Sequence, residues 1–228
     1  MNSSRTQLFW HWVQRVIAGL MLVALSPCLL ILFVLVKATS RGPALYSQER
    51  PGLGGKPFRV WKIRTMRPGS DRDASKARGV RSSDPQVTAI GRILRQLKID
   101  EFPQLWNIVR GEMAFVGPRP IAKSLYEELC REIPGFEQRV SVYPGLTNVG
   151  QVCIDENADQ NRVIEDWKLR FEAERHYLRS HSPFYDMIVI AMTVLYIGRK
   201  LLKAGPKLRW PRWNNAAATV SGPQSRTA

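Results

Sequence analysis

Acidic residues, histidine and cysteine are all scarce in this chain of 228 residues. Asp and Glu together number 19 against 34 Lys and Arg, which leaves a formal net charge of +15. There are three histidines and three cysteines. No C-x-x-C pair occurs, and no His/Cys cluster has the spacing of metal ligands, so neither a structural zinc site nor a dithiol redox motif is expected. Cys28, Cys130 and Cys153 cannot all pair internally and read as reduced thiols on the cytoplasmic side. The positive charge comes without a homeodomain, zinc-finger or RRM pattern, so nucleic acid is not an expected partner. A cleaved signal is not expected either. The polar lead Met1–Arg15 is long, the apolar run after it exceeds a normal h-region, and no A-x-A site follows. No internal repeat is present.

What the chain does have is an uncharged apolar run, Val16–Val36, between Arg15 and Lys37, with Ser26-Pro27 at its centre. About 20 apolar residues suffice to cross a bilayer as one helix. Proline removes a backbone donor and crowds the preceding turn, so a kink near Ser26 is expected, with the serine helping to satisfy the freed carbonyl. Both flanks are cationic, and loop charge therefore selects no orientation. Two readings stay open: a kinked spanning helix, or a re-entrant helix whose ends return to the same face. The lead reads as amphipathic, with Trp10 and Trp12 suited to the headgroup zone.

Basic residues cluster beyond the anchor: Arg41, Arg50, Lys56, Arg59, Lys62, Arg64 and Arg67, then Arg92, Arg95 and Lys98. Such a balance favours a polyanionic partner such as anionic lipid or a phosphate-bearing substrate. Ala44–Ser47 and Phe58–Ile63 read as short strands about a Pro/Gly-rich turn, and Pro68–Pro85 as a polar loop. Helices are expected over Val87–Leu97, Pro103–Val109, Ile121–Ile133, Arg162–Arg179 and Ser182–Leu202. The last is apolar along Met187–Ile197 and suits either the membrane interface or the core.

The densest segment is Lys98–Pro120, KIDEFPQLWNIVRGEMAFVGPRP. Neighbouring carboxylates such as Asp100-Glu101 do not face each other on a regular helix, but they can converge at a helix start, where Pro103 fits and the dipole favours negative charge. A carboxylate there can attack phosphorus, or hold Mg2+ together with phosphate oxygens. A solvated helix start is the plainer alternative. In Gly117-Pro118-Arg119-Pro120 two prolines hold an arginine in a stiff extended loop, which suits a phosphate or base contact or, more simply, a rigid connector.

Taken together, these blocks resemble the bacterial sugar transferases, the small monotopic phosphoglycosyl transferases. The resemblance rests on Ser26-Pro27; Arg50-Pro51-Gly52 with Gly55-Lys56-Pro57-Phe58; Lys62–Met66; Leu97–Glu101; Gly111-Glu112-Met113 with Phe115–Pro120; and Pro144–Thr147. It covers roughly residues 10 to 200.

The resemblance implies an α+β, mainly helical fold: an N-terminal re-entrant membrane helix-break-helix broken at Ser26-Pro27, plus a cytoplasmic membrane-surface catalytic domain with a short β-hairpin. The implied divisions are anchor 1–40, catalytic domain 41–203 and a weakly ordered tail 204–228. It implies transfer of a sugar-1-phosphate from a UDP-sugar to polyprenyl (undecaprenyl) phosphate with release of UMP, as the first membrane step of a surface glycan. Asp100 would be the nucleophile and a Mg2+ ligand, and Glu101 its partner. Lys62, Arg64 and Arg95 would clamp phosphate, with Pro118, Arg119, Pro120 and Arg139 on the nucleotide. Mg2+ is the expected cofactor and the bacterial inner membrane, with its anionic lipid, the expected location. A homodimer is a possible assembly. Three departures bear on the sugar pocket more than on the dyad: Val140 stands where the family has histidine, Gln151-Val152 is followed by Cys153–Asn157 rather than Gly-Arg-Asn, and Glu112 replaces a common aspartate. They point to an unusual sugar or to weakened activity. A non-catalytic membrane protein of the same fold, binding nucleotide-sugar or lipid phosphate, is the alternative.

Overall fold

The computed structural model describes residues 2–70, 84–153 and 163–201. The expected tail, and most of the loop expected over Pro68–Pro85, lie outside them. So does the segment from Ile154 to Asn157.

Helix α1, Asn2–Thr39, is one continuous helix that runs through Pro27 rather than two helices separated by a break. Its continuity has a local cause. Pro27 cannot donate to the carbonyl four residues earlier, that of Val23. The Ser26 hydroxyl donates to that same carbonyl at 2.7 Å and replaces the missing bond. α1 is the single described helix long and apolar enough to cross a membrane.

One side of α1 carries its buried residues, His11, Gln14, Ala18, Leu29 and Val36. Ala18 packs among Phe58, Val60, Leu105, Ile108 and Met113, whereas Leu29 and Val36 pack with Ile63 and Leu94. The first turns are tied by polar contacts. Trp10 donates to Asp186 at 2.8 Å, Arg15 to the Val109 carbonyl at 2.9 Å, and the Phe115 amide to Gln14 at 2.7 Å, while His11 stacks on Tyr143. Trp10 is thus half-buried against Asp186, and Trp12 faces outward beneath Arg15. The outer side is apolar as well: Leu8, Phe9, Val16, Leu20, Val23, Leu30, Ile31 and Val34 are exposed, Val23 to 73%.

The expected hairpin forms. Strands β1, Leu45–Pro51, and β2, Pro57–Ile63, pair antiparallel, with Pro51 opposite Pro57 across the Gly-rich turn. Side chains alternate across a strand, so Phe58, Val60 and Lys62 share one face; the first two are core. Helix α2, Ala89–Gln96, starts at Thr88, whose hydroxyl accepts from the Gly91 amide. Helix α3, Gln104–Arg110, packs on α1 and on β2, and its fully buried Asn107 locks that junction by donating to the Arg59 carbonyl at 2.7 Å and accepting from the Trp61 amide at 3.2 Å.

Strand β3, Ala114–Val116, pairs parallel with β4, Gly145–Thr147, a pairing not foreseen. Just beyond it the backbones of Gly117 and Gly145 lie so close that a Cβ on either would overlap the other's main chain. Helix α4, Lys123–Glu132, a 3-10 segment over Phe136–Ser141 and helix α6, Val163–Ser180, enclose a second core centred on Phe136, Leu129 and Phe171. The short helix α5, Val149–Cys153, precedes it. Helix α7, Pro183–Leu201, turns Asp186 and Val189 inward and leaves Phe184, Met187, Ile188, Val194 and Leu195 exposed, Phe184 to 76%. One face of the helix thus joins the core and the other is apolar and exposed.

Candidate functional site

Asp100 and Glu101 lie in a single 3-10 turn, Ile99–Glu101, wedged between α2 and α3. Lys98, which opens that turn, has φ 58° and is the one non-glycine residue with a left-handed backbone among the described residues. Such conformations cost energy and cluster at functional sites. In a 3-10 turn successive side chains point about 120° apart. Both carboxylates are buried, and Lys62 and Lys98 act on the two of them.

Glu101 is fully committed. Lys62 Nζ lies 2.8 Å from its Oε1, Arg119 Nη2 lies 2.6 Å from the same oxygen, and Arg119 Nη1 lies 3.3 Å from Oε2. Burial opposes its ionisation, but the Arg119 and Lys62 charges prevail and hold the carboxyl well below the usual range. Asp100 has the opposite balance. Burial pushes its pKa up and the Glu101 charge adds to this, against Lys62, Arg95 and Lys98. Its Oδ1 is buried and makes no hydrogen bond.

Lys62 reaches the dyad because β2 alternation carries it on the core-facing side with Phe58 and Val60. Arg95, in the last turn of α2, donates to the Thr65 hydroxyl at 2.8 Å and bears electrostatically on Asp100. Arg119 comes from the loop after β3. That loop is fastened through the Gly117 amide to the Thr147 carbonyl and through the Gly145 amide to the Pro118 carbonyl.

Two expected residues stand apart from the dyad. The β2 alternation ends at Ile63, and the Arg64 guanidinium turns to the end of α1, donating to the Ser40 carbonyl and hydroxyl at 2.8 Å each. Arg139 forms a buried ion pair with Glu174 and donates to the Arg119 carbonyl at 3.0 Å. Glu112, one of the departures, accepts from Asn107 and pairs with Arg110, and thus serves the α3 junction.

Arg50 was not singled out as a site residue. It is half-buried, donates to the Pro120 carbonyl and to Gln48, and its pKa is pushed down to about 10 by desolvation and by the Arg119 charge. Its place in the basic cluster, just before the turn, was the available signal. A small cleft borders the other side of the Arg119 loop. It is lined by Pro51, Gly52, Pro118, Arg119, Pro120, Ile121, Tyr126, Arg139, Val140, Val142 and Pro144, and not by Asp100 or Glu101. Arg119 is therefore shared between the dyad and the cleft.

Around two carboxylates stand Lys62, Arg119, Arg50, Arg95 and Lys98, each electrostatically coupled to the dyad. The surplus positive charge suits a polyphosphate. Asp100 Oδ1 is the sole carboxylate oxygen among the described residues that is buried without a partner, and no group of three potential ligands surrounds it. That suits Mg2+, which commonly takes one or two carboxylates and completes its shell with water and substrate phosphate.

Comparison with known proteins agrees with this chemistry. The family described as bacterial sugar transferase matches residues 5–200. A UDP-glucose:undecaprenyl-phosphate glucose-1-phosphate transferase of Caulobacter vibrioides is 39% identical over 183 residues, covering 80% of this chain and 67% of that protein. A UDP-N-acetylgalactosamine-undecaprenyl-phosphate N-acetylgalactosaminephosphotransferase of Aeromonas hydrophila is 33% identical over 169 residues, covering 74% and 38%. The exopolysaccharide production protein ExoY of Sinorhizobium fredii is 34% identical over 191 residues, covering 78% and 80%. The chain thus spans 38% of the length of some curated relatives it matches, the Aeromonas protein among them.

Proposed function

This chain belongs to the bacterial sugar transferase family, and from that premise we propose that it moves a sugar-1-phosphate from a UDP-sugar to undecaprenyl phosphate, releasing UMP. The observation that carries the reading is the division of labour in the dyad. Glu101 is neutralised by Lys62 and Arg119, while Asp100 keeps a buried oxygen without a partner amid surplus cations.

In the proposed reaction an Asp100 carboxylate oxygen attacks the β-phosphorus. A phosphorus–oxygen bond to the sugar phosphate forms on Asp100, and the bond to the UMP oxygen breaks. A phosphate oxygen of the acceptor lipid then attacks the acyl phosphate and frees the carboxylate. Burial removes solvating water from Asp100 and makes its anion the better nucleophile, while the nearby cations offset charge on the pentavalent phosphorus. Glu101 keeps Lys62 and Arg119 in place. Arg119 faces both dyad and cleft, and so places the uridine side of the donor in the cleft. Mg2+, held by Asp100 and the pyrophosphate, would neutralise the leaving group, and excess EDTA should abolish activity.

Membrane attachment follows from α1. The parts of α1 before and after Pro27 both join the same body: the first bonds to Asp186 and Val109, the second packs Leu29 and Val36 on Ile63 and Leu94, and Ser40 just after it accepts from Arg64. A span would need that body on both sides of the bilayer. We therefore place both ends of α1 on the cytoplasmic face, with its outer apolar stripe and the exposed face of α7 in lipid. The relatives' names differ in sugar, glucose in one and N-acetylgalactosamine in another, so the donor is read only as a UDP-sugar. A panel of UDP-sugars with undecaprenyl phosphate, scored by UMP, tests the proposal. Failure of every donor would refute it.

A further inference from the structure

The Arg119 loop has an unusual backbone. Pro118 and Pro120 carry no amide hydrogen, so the loop between β3 and α4 is fastened largely through its carbonyls. Those of Arg119 and Pro120, consecutive in the chain, are each held by an arginine: the buried Arg139 donates to the first at 3.0 Å, and the half-buried Arg50 to the second. Arg139 is in turn fixed on its other edge by Glu174 of α6, through Nε to Oε2 at 2.5 Å and Nη2 to Oε1 at 3.0 Å. Both side chains are almost wholly buried, at 4% and 3% exposure, and the guanidinium lies over the rings of Phe136 and Trp167 at 4.8 and 5.0 Å.

A buried ion pair adds little to stability compared with apolar residues of the same size, because desolvation cancels most of the attraction. Its geometry matters here. The fork of Arg139 spans a carboxylate on α6 and the main chain of the residue that grips Glu101. We propose that Glu174 is a positioning residue of the transferase site, acting through Arg139 on the Arg119 carbonyl to aim the Arg119 side chain at Glu101 and at the donor nucleotide. Arg139 is then the strut of that loop rather than a nucleotide ligand. The inference rests on the transferase reading above. It adds a residue from α6, remote in sequence from every motif that carries the chemistry.

Single removal of Glu174 would leave Arg139 buried and unpaired, and loss of folding would obscure the result. The test therefore removes both charges, in Arg139→Met/Glu174→Met, and compares UMP release with wild type across UDP-sugar and undecaprenyl phosphate concentrations. The expected result is a folded protein with near-normal Tm, a KM for UDP-sugar raised about tenfold, and an unchanged KM for undecaprenyl phosphate. Adding Arg119→Ala to this pair should cost far less than Arg119→Ala costs in wild type, because the side chain is already misdirected. If the double variant does not fold, Arg139→Lys replaces it; lysine can still pair with Glu174 but lacks the fork that spans to Arg119, and the same KM rise is expected. A folded variant with a wild-type KM for UDP-sugar, or full additivity with Arg119→Ala, overturns the inference alone. A wild-type protein that releases no UMP overturns the transferase reading and this inference with it.

Discussion

Arg119→Ala is the substitution whose consequence can be worked furthest. Arg119 makes two charge-assisted contacts to Glu101, at 2.6 and 3.3 Å, and the two side chains are 21% and 8% exposed. Removing one partner of a buried ion pair commonly costs about 3–5 kcal/mol, because the other charge is left uncompensated. Here Lys62 remains 2.8 Å from Glu101, so the carboxylate is not stranded. The cost should fall toward that of charged hydrogen bonds, about 1.5–3 kcal/mol. If this loss appears in kcat/KM for the UDP-sugar, it amounts to roughly 10- to 150-fold. The increase should be borne by KM for the donor, with KM for undecaprenyl phosphate unchanged, since Arg119 lines the cleft assigned to uridine. Steady-state UMP release with each substrate varied in turn reads both constants. A folded variant with unchanged donor KM would mean that Arg119 is only part of a stiff loop, and the cleft would then need another occupant.

Two further predictions concern topology and titration. Cysteines placed at the exposed positions Arg5 and Arg41, in a background lacking the native thiols, should react alike with an impermeant thiol reagent in intact cells; opposite reactivity would restore the span. The raised pKa of Asp100 should put the acidic limb of kcat/KM above the ordinary aspartate value of about 3.9, and Lys62→Met should move it higher by removing the largest opposing charge. The same shifts act on stability with opposite signs. Asp100 favours its neutral form in the folded state, so its contribution is present below its unfolded pKa and is lost as pH rises through the raised folded value. Glu101 contributes above about 4.3, and that contribution goes as pH falls through its depressed value. At neutral pH Asp100→Asn should therefore raise Tm and Glu101→Gln should lower it; the reverse order would contradict the assigned charge balance.

Local chemistry was legible in the sequence where it depends on near neighbours. The hairpin over Leu45–Ile63 follows from alternation about a Pro/Gly turn, and helices α2, α3, α4, α6 and α7 from apolar spacing, each displaced by only a few residues. The dyad and the Arg119 loop stood out by composition. The parallel pair of β3 and β4 could not be read: each strand has three residues, and their pairing depends on a backbone approach between Gly117 and Gly145 that no local pattern encodes. The resemblance implies both Lys62 and Arg64 as phosphate clamps, but the strand stops at Ile63 and Arg64 turns to Ser40 instead. The resemblance implies Arg139 as a nucleotide contact, and its partner Glu174, 35 residues away on another helix, lies beyond any local pattern. At Ser26-Pro27 the serine serves the orphaned carbonyl as its place beside the proline suggests, and α1 continues through the position where the resemblance implies a break.

The central claim is that Asp100 carries the sugar phosphate covalently, and it is tested most directly with the donor alone. Enzyme mixed with a UDP-sugar that it accepts, and with no lipid acceptor, should release UMP in a burst near one equivalent. The peptide containing Asp100 should gain the mass of one phosphosugar, and both signals should vanish in Asp100→Asn. No UMP before acceptor is added, together with no adduct on any carboxylate in a preparation that turns over normally with acceptor, would contradict the covalent mechanism and leave a direct displacement in its place.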